Sequence, residues 1–376
     1  MGFPDMRIVS ADIRVIEAPL KVPFIVSYAR YDVMPSVIVT LRTDTGLEGI
    51  GEAVPDEHVT GETVESVVAA LTQHLLPALR ETDPRNLNQV HERMNTALVA
   101  NGAAKAALDI ACWDLLGKHA GLPVHALLGG RKPEQPMIAK VLSILPPAEV
   151  AAQARTAIAD GFTHLKMKLG TDTAQDIASV AAVRQAVGPG IRIRVDANQG
   201  WQDVSTARRM IAAIEPYDID WIEQPIAADD LDGFRRLRPH TSAVIMADEA
   251  VITTGDLARL IRDESVDMVN LKLMKSGGIL PCQRLATQAA LGGLAVQIGS
   301  MLETSVSSAA GYHLALAHPN IVSTELSGPV AFSDEPGDLH FPLPYVDITD
   351  RPGLGVTLDP AALDRLTVSA KELIVE

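Results

Sequence analysis

The chain of 376 residues has only two cysteines, Cys112 and Cys282, and neither belongs to a Cys-x-x-Cys pair. That excludes a disulfide framework and a zinc-thiolate site, and makes a reducing cytoplasm the default expectation. Aromatic residues make up 4% against 47% apolar overall, so the core must be built from Ala, Val, Leu and Ile. Basic residues are also scarce. With 32 Lys and Arg against 47 Asp and Glu the net charge is −15. A nucleic-acid surface needs clustered Lys and Arg, so no nucleic-acid partner is expected. No apolar run approaches the roughly 18 residues of a membrane span, so no membrane partner is expected either. What is left is a large soluble protein, longer than one ordinary domain.

The first stretch reads as α+β. Alternating apolar runs at 8–17, 36–43 and 47–53 read as strands, the last two joined by a hairpin with an Asp-Thr-Gly turn. Helical spacing follows at 61–79, 87–98 and 103–120, the last stopping at Gly121-Leu-Pro123. Segments 19–32 and 55–61 read as loops. A boundary falls near Leu128-Gly-Gly-Arg131, which delimits a first domain over 1–130.

Beyond it the pattern changes. Eight short apolar runs recur at 137–144, 164–169, 191–197, 220–224, 243–248, 268–273, 294–300 and 321–326, with helical spacing between them. This alternation predicts an α/β protein with a (β/α)8 barrel over 131–335, capped by the N-terminal α+β domain. A doubly wound open sheet is the competing architecture. The last stretch, 336–376, is expected to leave the barrel and return to the first domain.

Charges fall at one end of these strands. A parallel strand is buried on both faces, so an ionised side chain on it is costly unless paired or bound to metal. The C-terminal rim of a barrel is different, because active sites form there. Strand two ends in Lys166-Met-Lys168, with both ammonium groups on one face. Strand three ends at Asp196 with Asn198 just beyond, strand four at Glu223, strand five at Asp248, and strand six carries Lys272. Three neighbouring carboxylates would repel one another with nothing between them. A divalent cation resolves this, and an all-oxygen set favours Mg²⁺. Lys168 and Lys272 come from strands on either side of the carboxylates, so they face each other across a bound substrate. An ordinary lysine is a poor base, but nearby positive charge lowers its pKa. Lys168 and Lys272 are thus candidate acid/bases, with Lys166 tuning Lys168 or touching the substrate carboxylate. Lys275 is assigned a structural role. The chemistry this predicts is removal of the proton beside a substrate carboxylate.

The motifs LKMKLG (165–170), VDANQGW (195–201), IEQP (222–225), ADEAV (247–251) and NLKLMKSGG (270–278) resemble the enolase superfamily, in its muconate-lactonizing-enzyme subgroup. The resemblance covers nearly the whole chain. It implies Asp196, Glu223 and Asp248 as Mg²⁺ ligands, Lys168 and Lys272 as acid/bases, and an ene-diolate formed from a small carboxylate substrate. Relatives commonly assemble as dimers or octamers, so a homo-oligomer is expected. HVTGETVESV (58–67), EQPIAADDL (223–231) and GSMLET (299–304) are most similar to dipeptide epimerases of the L-Ala-D/L-Glu kind. By that resemblance Asn198, Ser300, Leu302, Glu325 and Ser327 are substrate-binding candidates.

Two departures matter. Dipeptide epimerases carry an Asp-x-Asp at the end of strand eight that holds the dipeptide's ammonium group. Here the equivalent is Glu325-Leu-Ser327. Ala29, with Arg30 beside it, stands where the Ala-Glu enzymes place an arginine. Acidic dipeptides are therefore not expected as substrates. The expected function is an epimerase or racemase acting on a dipeptide or amino-acid derivative, N-acyl amino acids included. The alternative is a muconate-type cycloisomerase, or a dehydratase or other lyase on the same scaffold. A catalytically dead binding protein would lack a metal ligand or a lysine, and none is missing.

Overall fold

A computed structural model describes residues 6–375. Two sheets organise it. The smaller is antiparallel, in the order β12-β1-β2-β3, where β1 is Ile8–Ile25, β2 Arg30–Thr43, β3 Glu48–Ala53 and β12 Thr367–Ile374. On β1 the buried positions run Ala11, Ile13, Val15 and then Ile16, Ala18. The pairing with β12 shifts between Val15 and Ile16, where Val368 of β12 is passed over. The helix Gly102–Ala120 lies against this sheet and is buried on almost every side, as an Ala- and Leu-rich helix must be. A Cβ on Gly49 or Gly51 would fall 2.3 or 1.9 Å from the carbonyl oxygens of Ala111 and Ala107. Glycine at those two positions is what lets β3 lie flat on the helix.

Segment 19–32, read above as a loop, is mostly strand. β1 and β2 continue past the sheet as a hairpin, pairing Phe24 with Tyr31 and Ile25 with Arg30 across a turn at 26–29. Alternating burial stops after Ala18, because the hairpin projects beyond the domain core. Its periodicity was therefore invisible in the sequence.

The larger sheet has eight parallel strands in chain order: β4 Lys140–Leu142, β5 His164–Lys168, β6 Arg192–Asp196, β7 Ile219–Glu223, β8 Val244–Ala247, β9 Met268–Leu271, β10 Ala295–Ile298 and β11 Ile321–Thr324. Ile138 bridges Thr324 in parallel, and Ala139 N donates to the Thr324 carbonyl at 3.1 Å, which brings the eighth strand against the first. The strand order has no switch point, so the open doubly wound alternative is excluded. Each predicted barrel strand is present, shortened at its ends. β12 pairs antiparallel with β1, from Ser10 opposite Ile374 to Ile16 opposite Thr367, and so returns the chain's end to the first sheet. No helix among the described residues is long and apolar enough to cross a membrane.

Candidate active site

Register carries the charged residues to one level. Lys168 pairs with Asp196 and Asp196 with Glu223, each the last residue of its strand. Asp248, Lys272 and Glu325 stand one residue beyond β8, β9 and β11. All six are buried. Asp196, Glu223 and Asp248 each offer a carboxylate oxygen, and these atoms lie within 4.8 Å of one another. An octahedral ion with bonds of about 2.1 Å spans about 4.2 Å between opposite ligands. The oxygen-only donor set and its spacing therefore fit a small hard cation, with a modest closing of the three. Asp56, Glu57 and His58 also converge, but the last two are exposed.

The lysines are tied into this cluster. Lys166 Nζ lies 2.9 Å from Asp196, 2.8 Å from Glu223 and 2.8 Å from Glu325. Lys168 Nζ donates to Asp196 Oδ2 at 2.8 Å and to Asn198 Oδ1 at 2.9 Å. Lys272 Nζ is 2.8 Å from Asp248 Oδ2. Lys168 and Lys272 are thus anchored on different carboxylates, which stand two strands apart in the sheet, on β6 and just beyond β8.

Electrostatics follows from this packing. Burial alone would lower the Lys166 pKa, but Asp196, Glu223 and Glu325 outweigh it and hold the ammonium well above its ordinary value. Lys272 is likewise raised, against burial, by Asp248 and Glu249. Burial would raise Asp196 and Asp248, yet the lysines around each hold both below the usual carboxylate range. Glu223 goes the other way, pushed up by burial and by Asp196. Glu249 is pushed up to about 7 by burial and by Asp248. Carboxylates with divergent affinities for a proton in one cleft are a mark of a functional site.

The substrate-binding candidates also meet here. Asn198, Ser300, Leu302, Glu325 and Ser327 line one cavity with Lys168 and Lys272. Asn198 and Leu302 have φ of 41° and 60°, left-handed values that non-glycine residues adopt mainly where the surroundings demand it. Asn198 N donates to Asp196 Oδ1 at 2.8 Å, and its Nδ2 to Glu249 Oε1 at 3.2 Å. Glu325 faces inward: Oε1 accepts from Lys166 Nζ at 3.1 Å, Asn270 Nδ2 at 3.4 Å and Ser300 N at 3.4 Å.

Sequence reasoning quoted Asn270 in a motif and assigned it nothing. Its Nδ2 donates to Glu223 at 2.8 Å and reaches Asp248 at 3.5 Å, so it bridges two of the three carboxylates. The available signal was its position two residues before Lys272, which gives both the same face. A Cβ on Gly299 would fall 2.4 Å from Asn270 Oδ1, so that glycine leaves room for the amide. Lys275 lies in a short helix, Leu273–Ser276, with Nζ 2.6 Å from Asp248 Oδ1 and 3.1 Å from the Asn270 carbonyl. The capping-side residues Tyr28, Tyr31 and Asp56, from segments 19–32 and 55–61, also line the cavity.

A (β/α)8 barrel with carboxylates on three consecutive strands and lysines on the strands flanking them defines an enzyme of the enolase superfamily. Residues 9–129 match the model of the mandelate racemase / muconate lactonizing enzyme N-terminal domain, and residues 149–362 match the enolase C-terminal domain-like model. The chain belongs to the mandelate racemase / muconate lactonizing enzyme family. It is 42% identical to the N-succinyl-L-Arg/Lys racemase of Bacillus cereus, over 96% of this chain and 98% of that one. The crystal structure of N-succinyl Arg/Lys racemase from that organism superposes with a TM-score of 0.96 at 41% identity, covering 98% of this chain and all of the other. A dipeptide epimerase from Enterococcus faecalis, solved with Mg and the dipeptide L-Leu-L-Tyr, gives a TM-score of 0.89 at 33% identity, over 94% of this chain and all of that one. The chloromuconate cycloisomerase of Pseudomonas putida is 31% identical, over 96% of this chain and 99% of that one. The higher identity to a racemase favours the racemase and epimerase reading over the cycloisomerase one.

Proposed function

We propose that this chain is a Mg²⁺-dependent racemase that inverts the α-carbon of an N-acylated amino acid by a two-base mechanism. Asp196, Glu223 and Asp248 would hold the ion. When bound, Mg²⁺ supplies Lewis-acid stabilisation of the charge that develops on the substrate carboxylate. Lys168 and Lys272 do the proton work. One takes the α-proton from its face of the substrate and the other returns a proton to the opposite face, so either enantiomer is converted to the other. Lys166, bonded to Asp196, Glu223 and Glu325, orients those carboxylates and adds positive charge where negative charge accumulates.

The observation that carries the substrate class is the inward turn of Glu325. A free dipeptide brings an α-ammonium, which needs a carboxylate near the end of strand eight. Glu325 has its carboxylate engaged by Lys166, Asn270 and Ser300, and is 3% exposed, while the next inward position is the neutral Ser327. An acylated nitrogen is uncharged and needs only neutral polar neighbours, such as the Ser300 and Ser327 hydroxyls.

The test is α-proton exchange in D₂O with two matched panels, N-succinyl amino acids and free dipeptides. The N-acyl panel should exchange and racemise. Exchange confined to free dipeptides would refute the substrate class. Lactone formation from muconate without exchange in either panel would refute the racemase reading.

A further inference from the structure

The loop after β10, residues 299–304, gives the cavity Ser300, Met301 and Leu302. Ser300 N reaches Glu325 Oε1 at 3.4 Å, which holds the loop to the barrel at one end. At the other end Thr304 caps the helix Ser305–Ala317, and Glu52 of β3 accepts from its backbone N–H and from its hydroxyl, each at 2.9 Å. Between these ends the backbone passes through Leu302 at a φ of 60°, a conformation that persists only where surrounding bonds hold it.

Glu303 makes those bonds. Its side chain folds back onto the loop and is 3% exposed. Oε2 accepts from Met301 N at 2.7 Å and from the Ser300 hydroxyl at 3.1 Å. Ser300 Oγ in turn accepts from Leu302 N at 2.9 Å. A hydroxyl has one proton and two lone pairs. Glu303 takes the proton and Leu302 takes one lone pair. What Ser300 Oγ has left for the cavity is the other lone pair, so there it accepts a hydrogen bond and cannot donate one.

This polarity does not depend on the charge of Glu303. Burial, with Glu52 adding to it, pushes the Glu303 carboxyl up to about 7. The Met301 N–H can only donate, so Oε2 stays an acceptor, and an added proton goes to Oε1, beside the Ser308 hydroxyl. A neutral carboxyl still keeps one oxygen as an acceptor.

We propose that Glu303 is a positioning residue for substrate binding: by claiming the proton of the Ser300 hydroxyl, it presents Oγ to the cavity as a fixed acceptor for the N–H of an N-acylated substrate. The inference rests on the racemase reading above and names the group that recognises the acylated nitrogen. A side chain that only braced the loop would affect every substrate alike.

The experiment uses the full-length, Mg²⁺-loaded protein and two probes, N-succinyl-L-leucine and its O-succinyl isostere, in which an ester oxygen replaces the N–H. α-Deuterium incorporation gives kcat and KM separately. In wild type the isostere should have a KM about tenfold higher, within the range of one buried hydrogen bond lost. Glu303→Gln should keep that ratio, because the amide oxygen can take the place of Oε2. Glu303→Ala frees the Ser300 proton, so the ratio should collapse towards one, chiefly through KM. A loss shared equally by both probes in Glu303→Ala would show a bracing role alone and overturn the proposal. If Glu303→Ala does not fold, Glu303→Gln and Ser300→Ala decide together. The proposal requires the ratio to persist in the first and vanish in the second, and any other pattern overturns it. Failure of wild type to exchange any N-acyl probe overturns the racemase reading and this inference with it. Exchange of both probes with equal KM overturns the inference alone.

Discussion

Removing one lysine at a time should split racemisation into two one-sided reactions. Lys168 is anchored by Asp196 and Asn198, at 2.8 and 2.9 Å, and Lys272 by Asp248 at 2.8 Å. The anchors come from β6 and from the end of β8, with β7 between them, so the two amines approach a substrate from different sides. In Lys272→Ala the substrate enantiomer whose α-hydrogen faces Lys168 keeps its base, and the other loses it. General acid–base catalysis contributes about 10²- to 10⁴-fold, equivalent to about 3–5 kcal/mol in barrier height. Inversion needs both groups, so it should fall by that factor in each variant and for each enantiomer. Exchange should fall for only one enantiomer in Lys272→Ala and for the opposite one in Lys168→Ala. Separate enantiomers of an N-acyl amino acid in D₂O, followed by proton NMR for exchange and by polarimetry for inversion, read the two events independently. The reasoning is refuted if both variants retain exchange of the same enantiomer, or if either variant inverts at the wild-type rate.

Metal removal should abolish turnover, and added Mg²⁺ should restore it. It should also lower thermal stability. Ion at a hundred times its dissociation constant stabilises by about 2.7 kcal/mol, or about 3 °C for a chain of this size. An unchanged melting temperature and full activity in EDTA would contradict the three-carboxylate site. A pH prediction comes from a residue outside the catalytic cluster. His313 Nε2 donates to the Leu354 carbonyl at 3.0 Å, and Nδ1 accepts from His125 N at 3.1 Å, so the neutral ring is fully used. Burial pushes its pKa down to about 3. Below about pH 6.5 the unfolded chain binds a proton that the native ring refuses, so stability falls as pH drops from there towards 3. The contribution is on the order of 5 kcal/mol at its full extent. The stability difference between wild type and His313→Gln, from denaturant midpoints at pH 7 and pH 4, should shift in favour of the variant at the lower pH. A constant difference would refute it.

Much of the architecture was legible along the chain because its signals are local. Strand–helix alternation and the Asp, Glu and Lys residues at strand ends are patterns within a few residues, and a period of two decides which of them share a face. Asp196, Glu223 and Asp248 could therefore be grouped before any coordinates were known. Lys166 and Lys168 could also be recognised as sharing one face. The spacing could not show that Lys166 reaches Glu325, because the two are 159 residues apart in the chain. Asn270 was visible as a neighbour of Lys272, but its bridging of Glu223 and Asp248 depends on how three strands pack at one level.

The hairpin at 19–32 marks the same limit from the other side. Alternation betrays a strand when one face is buried in a core, and this one leaves the core after Ala18. Only the fold brings its Tyr28 and Tyr31 to Asp56, from a different loop, and sets all three in one cavity with Lys168 and Lys272. The sequence by itself determined the barrel and its charged rim, since each depends on near neighbours in the chain. Tertiary structure alone decided that Glu325 is engaged by Lys166, Asn270 and Ser300 while Asp56 is held by Tyr28 and Tyr31, because those partners come from distant segments meeting in space.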